Sequence, residues 1–389
     1  MRAAALVEAA AALRRHSVQV LEANSADLDA AHAAGLTATA IDRLRLDAGR
    51  VGAMASGLEA VAQMPDPVGA VLDGSVRPNG LAVSRVRAPL GVVGVIYENR
   101  PNVTSDAAGL CIRSGNAAFL RGSSSSLRSN QAIVAALQEG LEAVGLPGEG
   151  VALVEDTSHA TAVEFMQLRG ILDVLIPRGG PSLISSMLEH ATVPYVLDGD
   201  GNCHVFVDES ADLEMACAII VNAKTQRPGV CNAMESLVLH ASVAHAVLDR
   251  LAVVMPEVRL LGCDRAQALS QRVEPADEAD FRTEFLDLIA SVKVVDTLDE
   301  AMAHIAKNGS GHTEAIVTSD VTSAERFLSE VDAAAVVLNA STRFVDGGEL
   351  GLGAEVGIST QKLHARGPMG LEALTSVRWV IRGEGQVRV

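Results

Sequence analysis

Apolar and polar residues follow two different periods along this chain, and together they predict many short helices and strands. Residues 1–65 are rich in Ala, Leu, Arg and Glu at helical spacing, which predicts a helical N-terminal segment. From residue 89 onward, short apolar runs such as 89–97 and 151–154 alternate with helical stretches such as 129–144. This order is typical of parallel strands joined by crossover helices, so we predict an α/β fold.

A break in the alternation divides the chain. Residues 199–204 separate a first series of strands and helices from a second series that runs to residue 338. Residues 76–88 are predicted to form a ribbon strand. The tail 376–389 is predicted to form two strands joined by a Gly-Glu-Gly turn. Because exposed ribbons often pair between subunits, the tail predicts a homo-oligomer.

Composition supports this reading and excludes several classes of protein. A length of 389 residues suits two domains, and many apolar residues with only 3% aromatic suit helix-covered parallel sheets. The formal net charge of -17 argues against a nucleic-acid-binding surface. No stretch approaches the roughly 20 apolar residues of a membrane span. The scattered cysteines show neither a CxxC pair nor metal-type spacing, so we expect a cytoplasmic protein without a metal site.

The segment 222–236, NAKTQRPGVCNAMES, is the best candidate for chemistry. It places Cys231 just after a Pro-Gly turn and within a few residues of Lys224 and Arg227. Nearby cations favour the thiolate, which is the reactive form, so Cys231 is predicted to be a nucleophile. On composition and spacing alone, a structural cysteine remains an equal alternative.

Glycine-rich and serine-rich turns are weaker signals. The glycines of 347–353 do not lie between a first strand and its helix, so they do not form a dinucleotide fingerprint. The turn 176–181, IPRGGP, follows an apolar strand and precedes a helix, a context that suits either pyrophosphate binding or an ordinary loop. The serines of 123–126 after the strand 119–121 suit a helix cap or a ribose-binding loop.

Several segments together resemble one family, the gamma-glutamyl phosphate reductases (glutamate-5-semialdehyde dehydrogenases) of the aldehyde dehydrogenase superfamily. The matching segments, in order, are 89–104 PLGVVGVIYENRPNVT, 175–180 LIPRGG, 222–228 NAKTQRP with Cys231 and Asn232, 339–344 NASTRF, and 351–374 GLGAEVGISTQKLHARGPMGLEAL. The last and longest match distinguishes this reductase from general aldehyde dehydrogenases.

The resemblance implies an activity. It is the NADPH-dependent reduction of L-glutamyl 5-phosphate to glutamate 5-semialdehyde with release of phosphate, the second step of proline biosynthesis. Cys231 would attack the acyl phosphate to give a thioacyl enzyme, which hydride then reduces. The oxyanion would be stabilised by the Cys231 backbone N–H and the Asn99 side chain, although many relatives carry a small residue in place of Asn99.

The resemblance also implies binding residues. Those expected to hold NADPH or NADP+ are Arg121, Gly122, Ser123, Ser124, Arg178, Gly179, Gly180, Glu284 and Phe285. Those expected to hold the substrate's phosphate and carboxylate are Arg100, Asn102, Ser341, Thr342, Arg343, Lys362, His364 and Arg366. Many relatives carry a lysine where this chain has Ser123, so the contact to the 2′-phosphate of NADP would fall to Arg121 or Arg128.

The predicted architecture is therefore an aldehyde dehydrogenase-like fold with two Rossmann-like parallel-sheet domains and a small β-ribbon. Residues 1–198 would bind the cofactor, 199–365 would carry the catalytic cysteine, and 366–389 would return to form the oligomerisation ribbon. Contact with glutamate 5-kinase, which makes the unstable substrate, is a further expectation.

Two rival functions stay open. A hydrolytic semialdehyde dehydrogenase would need a glutamate in the segment 196–201, VLDGDG, and none is present there. A catalytically silent scaffold would have no reason to keep Cys231 beside basic residues.

Overall fold

The computed structural model describes residues 1–388, with all side chains except those of residues 39 and 181. The helices are α1 (Arg2–Arg15), α2 (Ser17–Ala33), α3 (Ala38–Leu44), α4 (Ala48–Gln63), α5 (Asn102–Arg113), α6 (Leu127–Glu142), α7 (His159–Met166), α8 (Pro181–His190), α9 (Leu213–Thr225), α10 (Ala241–Val254), α11 (Asp264–Leu269), α12 (Leu298–Asn308) and α13 (Val321–Glu330).

The strands are β1 (Val71–Val76), β2 (Ala82–Pro89), β3 (Val92–Tyr97), β4 (Ala117–Arg121), β5 (Val151–Leu153), β6 (Val174–Arg178), β7 (Cys203–Val207), β8 (Met234–His240), β9 (Arg259–Gly262), β10 (Val273–Pro275), β11 (Ile289–Val295), β12 (Thr313–Val317), β13 (Ala335–Leu338), β14 (Ile358–Ser359), β15 (Gly367–Pro368) and β16 (Thr375–Arg382).

The N-terminal helical segment is confirmed, and it joins the core of the first sheet. Helix α1 packs against α4 and α6 through a fully buried stripe that includes Leu6 and Leu13. Asp47 caps α4 by accepting a hydrogen bond from the backbone N–H of Arg50. Helix α3 lies on a separate small cluster of Ala31, Ile41 and Leu44. The segment therefore belongs to the globular body.

The first parallel sheet has the strand order β5-β4-β3-β6. Its central strand β3 pairs in parallel with β4 and with β6, and most of its side chains are buried. Because all four strands run in the same direction, the residues that follow them meet at one edge. The segments after β3, β4 and β6 begin with Glu98, Gly122 and Gly179, the region where most of the cofactor residues were predicted.

The second parallel sheet has seven strands in the order β10-β9-β11-β8-β7-β12-β13. Strands β7 and β12 are buried along their whole length, as expected for a sheet covered by helices on both faces. The α/β class is thus confirmed. The proposed domain boundaries remain a prediction.

A three-stranded antiparallel ribbon, β1-β2-β16, stands apart from both sheets. The stretch predicted as one strand near 76–88 is part of a hairpin. The tail prediction was wrong in its second half, because β16 is one strand paired with β2 and no strand follows it up to residue 388. Trp379 and Ile381 on β16 are 64% and 61% exposed, so this ribbon leaves large apolar side chains uncovered. Among residues 1–388, no helix is long and apolar enough to cross a membrane.

Candidate active site

A cavity of about 780 Å³ lies between the carboxyl ends of β3 and β6 and the amino ends of β7, β8 and β12. The two sheets therefore meet end to end across it. Of the residues predicted from the sequence, those that line it are Asn99, Arg100, Arg178, Gly179, Gly180, Cys231, Glu284 and Arg343.

A buried ion pair closes the base of the loop that carries Cys231. The loop joins α9 to β8, and Lys224 near the end of α9 lies 2.7 Å from Glu235 at the start of β8. Both side chains are fully buried, and Glu235 also accepts a hydrogen bond from the backbone N–H of Leu286. The prediction that Lys224 promotes the thiolate was wrong, because its ammonium is committed to Glu235.

The thiol of Cys231 is half-buried and has carboxylates near it. Burial and, to a smaller extent, the Asp198 carboxylate together raise the pKa of Cys231 to about 12, although Arg178 opposes the rise. The sequence had predicted the reverse, because Lys224 and Arg227 are close along the chain. The protonated thiol is therefore the favoured form at neutral pH.

Asp198, in the segment 196–201 that contains no glutamate, is a cavity residue that the sequence did not predict. Its carboxylate lies 2.5 Å from the Arg178 guanidinium and accepts a hydrogen bond from the backbone N–H of Ile358 at 2.8 Å. Burial raises the pKa of Asp198, and Arg178 opposes this. Its charge is thus balanced by Arg178, at the edge of the cavity that holds Cys231.

Asn99 is held in one orientation by the serine loop after β4. Its backbone is left-handed, with φ 42°, and its Oδ1 accepts hydrogen bonds from the Ser123 and Ser125 hydroxyls. The Ser123 hydroxyl also accepts from the Asn99 backbone N–H. With Oδ1 occupied, the Nδ2 group is the end that remains to donate a hydrogen bond at the cavity.

Unpaired arginines are the main electrostatic feature of the cavity. Among residues 1–388, no carboxylate lies within salt-bridge distance of five lining arginines: Arg43, Arg100, Arg227, Arg282 and Arg343. Arg100 is half-buried, and its pKa is lowered by burial and by the nearby guanidinium groups of Arg178 and Arg43. The sequence did not predict a role for Arg43, because Arg43 belongs to an ordinary helical pattern far from the segments that resemble the family.

The predicted cofactor residues divide into two places. Arg178, Gly179, Gly180 and Glu284 line the cavity, and Phe285 follows Glu284 on the same loop. One Glu284 oxygen accepts a hydrogen bond from the Gly201 backbone N–H at 2.8 Å. The backbone N–H of Gly180 already donates to Glu98 at 3.0 Å.

The other predicted cofactor residues lie at the end of β4 and directly after it, outside the cavity lining. Arg121 donates to the backbone carbonyls of Thr157 and Ser158. Gly122 packs so closely against Asn130 that a Cβ there would lie 2.1 Å from its Nδ2. Ser123 is bound to Asn99, and Ser124 begins the short 3-10 helix that follows.

The remaining predicted substrate residues do not line the cavity. Lys362 and Arg366 pair with Asp332, and the His364 ring contacts the Ala373 carbonyl. Asn102 donates to Asp106 at 3.0 Å.

Ser341 and Thr342 lie behind the Cys231 loop and do not line the cavity. Both are buried, and the Thr342 hydroxyl donates to the carbonyl of Asn232, next to Cys231. The structure therefore brings Arg343, but not its two neighbours, to the cavity surface.

Comparison with known proteins identifies the family of this chain. Residues 1–268 match the aldehyde dehydrogenase family. The gamma-glutamyl phosphate reductases of Heliobacterium modesticaldum and Carboxydothermus hydrogenoformans are 52% and 53% identical over 386 residues, which cover 99% of this chain and 93% of each relative.

Solved structures give the same result. A gamma-glutamyl phosphate reductase of Thermotoga maritima superposes with a TM-score of 0.97 at 46% identity, covering 100% of this chain and 94% of that one. An acetylating aldehyde dehydrogenase of Geobacillus thermoglucosidasius, 17% identical, shares the fold with a TM-score of 0.69, covering 100% of this chain and 93% of that one. The predicted fold and resemblance are confirmed: the chain belongs to the gamma-glutamyl phosphate reductases of the aldehyde dehydrogenase family.

Proposed function

We propose that this chain reduces L-glutamyl 5-phosphate to L-glutamate 5-semialdehyde with NADPH and releases phosphate, the second step of proline biosynthesis. The observation that carries the proposal is a half-buried thiol, Cys231, in a cavity lined by five arginines that have no carboxylate partner among the described residues. Unpaired cations suit an anionic substrate, and the thiol suits acyl transfer. Membership of the family supports the same reaction.

In the proposed reaction, the Cys231 thiol releases its proton to solvent, and the resulting thiolate attacks the acyl carbon of the substrate. The Cys231 backbone N–H and the Asn99 amide donate hydrogen bonds to the developing oxyanion. The C–O bond to phosphate then breaks, and a thioacyl enzyme remains. Since the pKa of Cys231 is raised to about 12, we expect this step to accelerate as the pH rises through the neutral range.

The cofactor, when bound, supplies the hydride that reduces the thioacyl carbon. Asn99 would stabilise the resulting oxyanion again, and its collapse would release the aldehyde and the Cys231 sulfur. Glu284 suits a ribose hydroxyl, because its second carboxylate oxygen has no partner among the described residues. The turn of Arg178, Gly179 and Gly180, which follows β6, suits the pyrophosphate end.

The adenosine end would lie after β4, near Gly122, Ser123 and Ser124. Arg121 is the nearest cation for the 2′-phosphate that distinguishes NADPH, and its Nε atom is buried without a partner in the described part of the chain. We expect Arg121→Gln to raise KM for NADP+ more than KM for NAD+. An equal effect on both cofactors would remove this assignment.

The assembly and surroundings of the protein are further proposals. The exposed apolar side chains of the ribbon, including Trp379 and Ile381, suit pairing between subunits in a homo-oligomer. A cytoplasmic location and contact with glutamate 5-kinase remain predictions from the sequence.

The decisive test is the reverse reaction: NADP+ reduction with glutamate semialdehyde, with and without phosphate, for the wild type and Cys231→Ala. Phosphate-dependent turnover that Cys231→Ala abolishes would support the proposal. Cys263→Ala is the matched control, because Cys263 is also half-buried but lies outside the cavity. Turnover without phosphate would instead indicate a hydrolytic dehydrogenase, and no turnover by the wild type would indicate a silent scaffold.

A further inference from the structure

The cavity arginines lack partners in a chain that has an excess of acids. The sequence has 48 Asp and Glu against 31 Lys and Arg, so acidic partners are plentiful. Many arginines elsewhere do pair with a carboxylate, such as Arg14 with Glu59 and Arg265 with Asp296. Arg100 and Arg343 are half-buried, so their guanidinium groups lose hydration without a compensating carboxylate, and this indicates an anionic ligand. Arg43 and Arg227 are exposed residues that also line the cavity and add to its positive charge.

One set of arginines lies beside the loop of Asn99. It consists of Arg43, Arg100 and Arg178, with Asp198 as its acid. Asp198 is already satisfied by Arg178 and by the Ile358 backbone N–H. Neither Arg43 nor Arg100 has a carboxylate within salt-bridge distance among the described residues, so two guanidinium groups of this set remain for an anion.

A second set lies on the thiol-bearing side of the cavity. It consists of Arg227 and Arg343, with Asp346 as its acid. Arg343 donates to the Gln226 side chain at 2.7 Å, which fixes its position next to the Cys231 loop. This set therefore presents both guanidinium groups and a carboxylate to the cavity.

The substrate of the proposed function has two ends that match these sets. The phosphate carries close to two negative charges, whereas the amino-acid end carries one carboxylate and one ammonium group. We infer that Arg43 and Arg100 form the phosphate subsite, and that Arg227, Arg343 and Asp346 bind the amino-acid end. The inference rests on the proposed function, and it assigns a substrate contact to the N-terminal helix α3.

The adjacency of Asn99 and Arg100 supports the same assignment. Asn99 is the proposed donor to the oxygen of the acyl carbon, and that carbon also bears the phosphate. A cation on the next residue is thus well placed for the phosphate, while the amino-acid end is separated from the acyl carbon by the rest of the glutamyl chain.

The reverse reaction separates the two subsites, because phosphate and glutamate semialdehyde are then independent substrates. For Arg43→Gln and Arg100→Gln we expect KM for phosphate to rise about tenfold or more, with KM for the semialdehyde within about twofold. For Arg227→Gln, Arg343→Gln and Asp346→Asn we expect the opposite split. Arg43→Lys should recover part of the phosphate affinity.

Arg45→Gln is the matched control, because Arg45 is exposed on the same segment as Arg43 but does not line the cavity. Reversed effects, or equal effects on both KM values, would overturn the assignment while leaving the proposed function intact. Wild-type turnover that needs no phosphate would instead count against the proposed function itself.

A binding measurement tests the phosphate subsite without turnover. Inorganic phosphate should raise the thermal midpoint of the wild type and of Arg45→Gln, and the rise should be much smaller in Arg43→Gln and Arg100→Gln. Arg45→Gln corrects for the general stabilisation that phosphate gives proteins. An equal rise in all four proteins would refute the subsite.

Discussion

Gly201 lies directly against the backbone of Cys231: a Cβ atom at position 201 would stand 1.6 Å from the Cys231 carbonyl oxygen. The neighbouring Cys203 thiol donates to that same oxygen at 3.1 Å, and the Gly201 N–H donates to Glu284. The segment before β7 therefore supports the Cys231 loop from beneath, and it reaches that position only because residue 201 has no side chain.

The first prediction concerns this contact. Gly201→Ala should displace the Cys231 loop and reduce kcat severely, because backbone atoms cannot yield to a Cβ at 1.6 Å. Steady-state kinetics and circular dichroism would check activity and folding. Gly229→Ala is the matched control in the Cys231 loop, since its Cβ would be 3.7 Å from the Leu286 carbonyl, an ordinary contact. Full activity of Gly201→Ala would contradict the close packing.

The second prediction concerns the thiol. Because the pKa of Cys231 is raised to about 12, its alkylation by iodoacetamide should increase about tenfold per pH unit between pH 7 and 10. Asp198→Asn removes the carboxylate that raises this pKa most, so the variant should react faster at a fixed pH near 8. Asp200→Asn, on the same segment, should have a smaller effect. If the alkylation rate of the wild type levelled off below pH 9, the pKa of Cys231 would not be raised, and the prediction would be wrong.

The third prediction concerns the buried pair of Lys224 and Glu235. Lys224→Met leaves a carboxylate buried without its counterion and should cost about 3–5 kcal/mol in the free energy of unfolding. The double variant Lys224→Met/Glu235→Leu should recover much of this loss. Urea unfolding would measure both, with Arg250→Met, which breaks an exposed pair with Glu214, as a control that changes little.

The same pair has a pH dependence with a definite sign. Burial raises the pKa of Glu235 to about 7, above its value in the unfolded chain, although Lys224 opposes the rise. A carboxyl group with a raised pKa favours the folded state at low pH, and this contribution disappears as the pH rises through the folded pKa. The Lys224→Met variant should therefore be less destabilised at pH 5 than at pH 8. If Lys224→Met lost the same free energy of unfolding at pH 5 and pH 8, the ionised Glu235 carboxylate would not be the cause of the destabilisation.

The fourth prediction concerns Asn99. Asn99→Ala should lower kcat about 10²–10³-fold with little change in either KM, as expected for a donor that acts on the oxyanion. Ser125→Ala should have a smaller effect, because Ser123 still holds the Asn99 side chain. A rise in KM without loss of kcat would assign Asn99 to substrate binding instead.

The sequence identified the residues that local patterns mark. The Cys231 loop, the segment of Asn99 and Arg100, and the turn at Arg178 all line the same cavity. Ion pairs between residues that are far apart along the chain could not be predicted in this way. Lys224 was predicted to favour the Cys231 thiolate because the two residues are close in sequence, but its ammonium group pairs with Glu235. Lys362 and Arg366 lie in the longest family match, yet they pair with Asp332.

Periodicity and motif order by themselves determined the α/β class, the family and the position of the thiol, because these depend on short-range spacing that every strand and turn carries. The tertiary structure alone decided which charges remain unpaired at the cavity. Arg43 lies on the N-terminal helix α3, and Asp198 lies in the segment before β7. Both residues come close to Arg100 and Cys231 only because the two sheets pack end to end. Charge interactions depend on distance and burial in space, so the thiol's pKa and the anion subsites follow from packing.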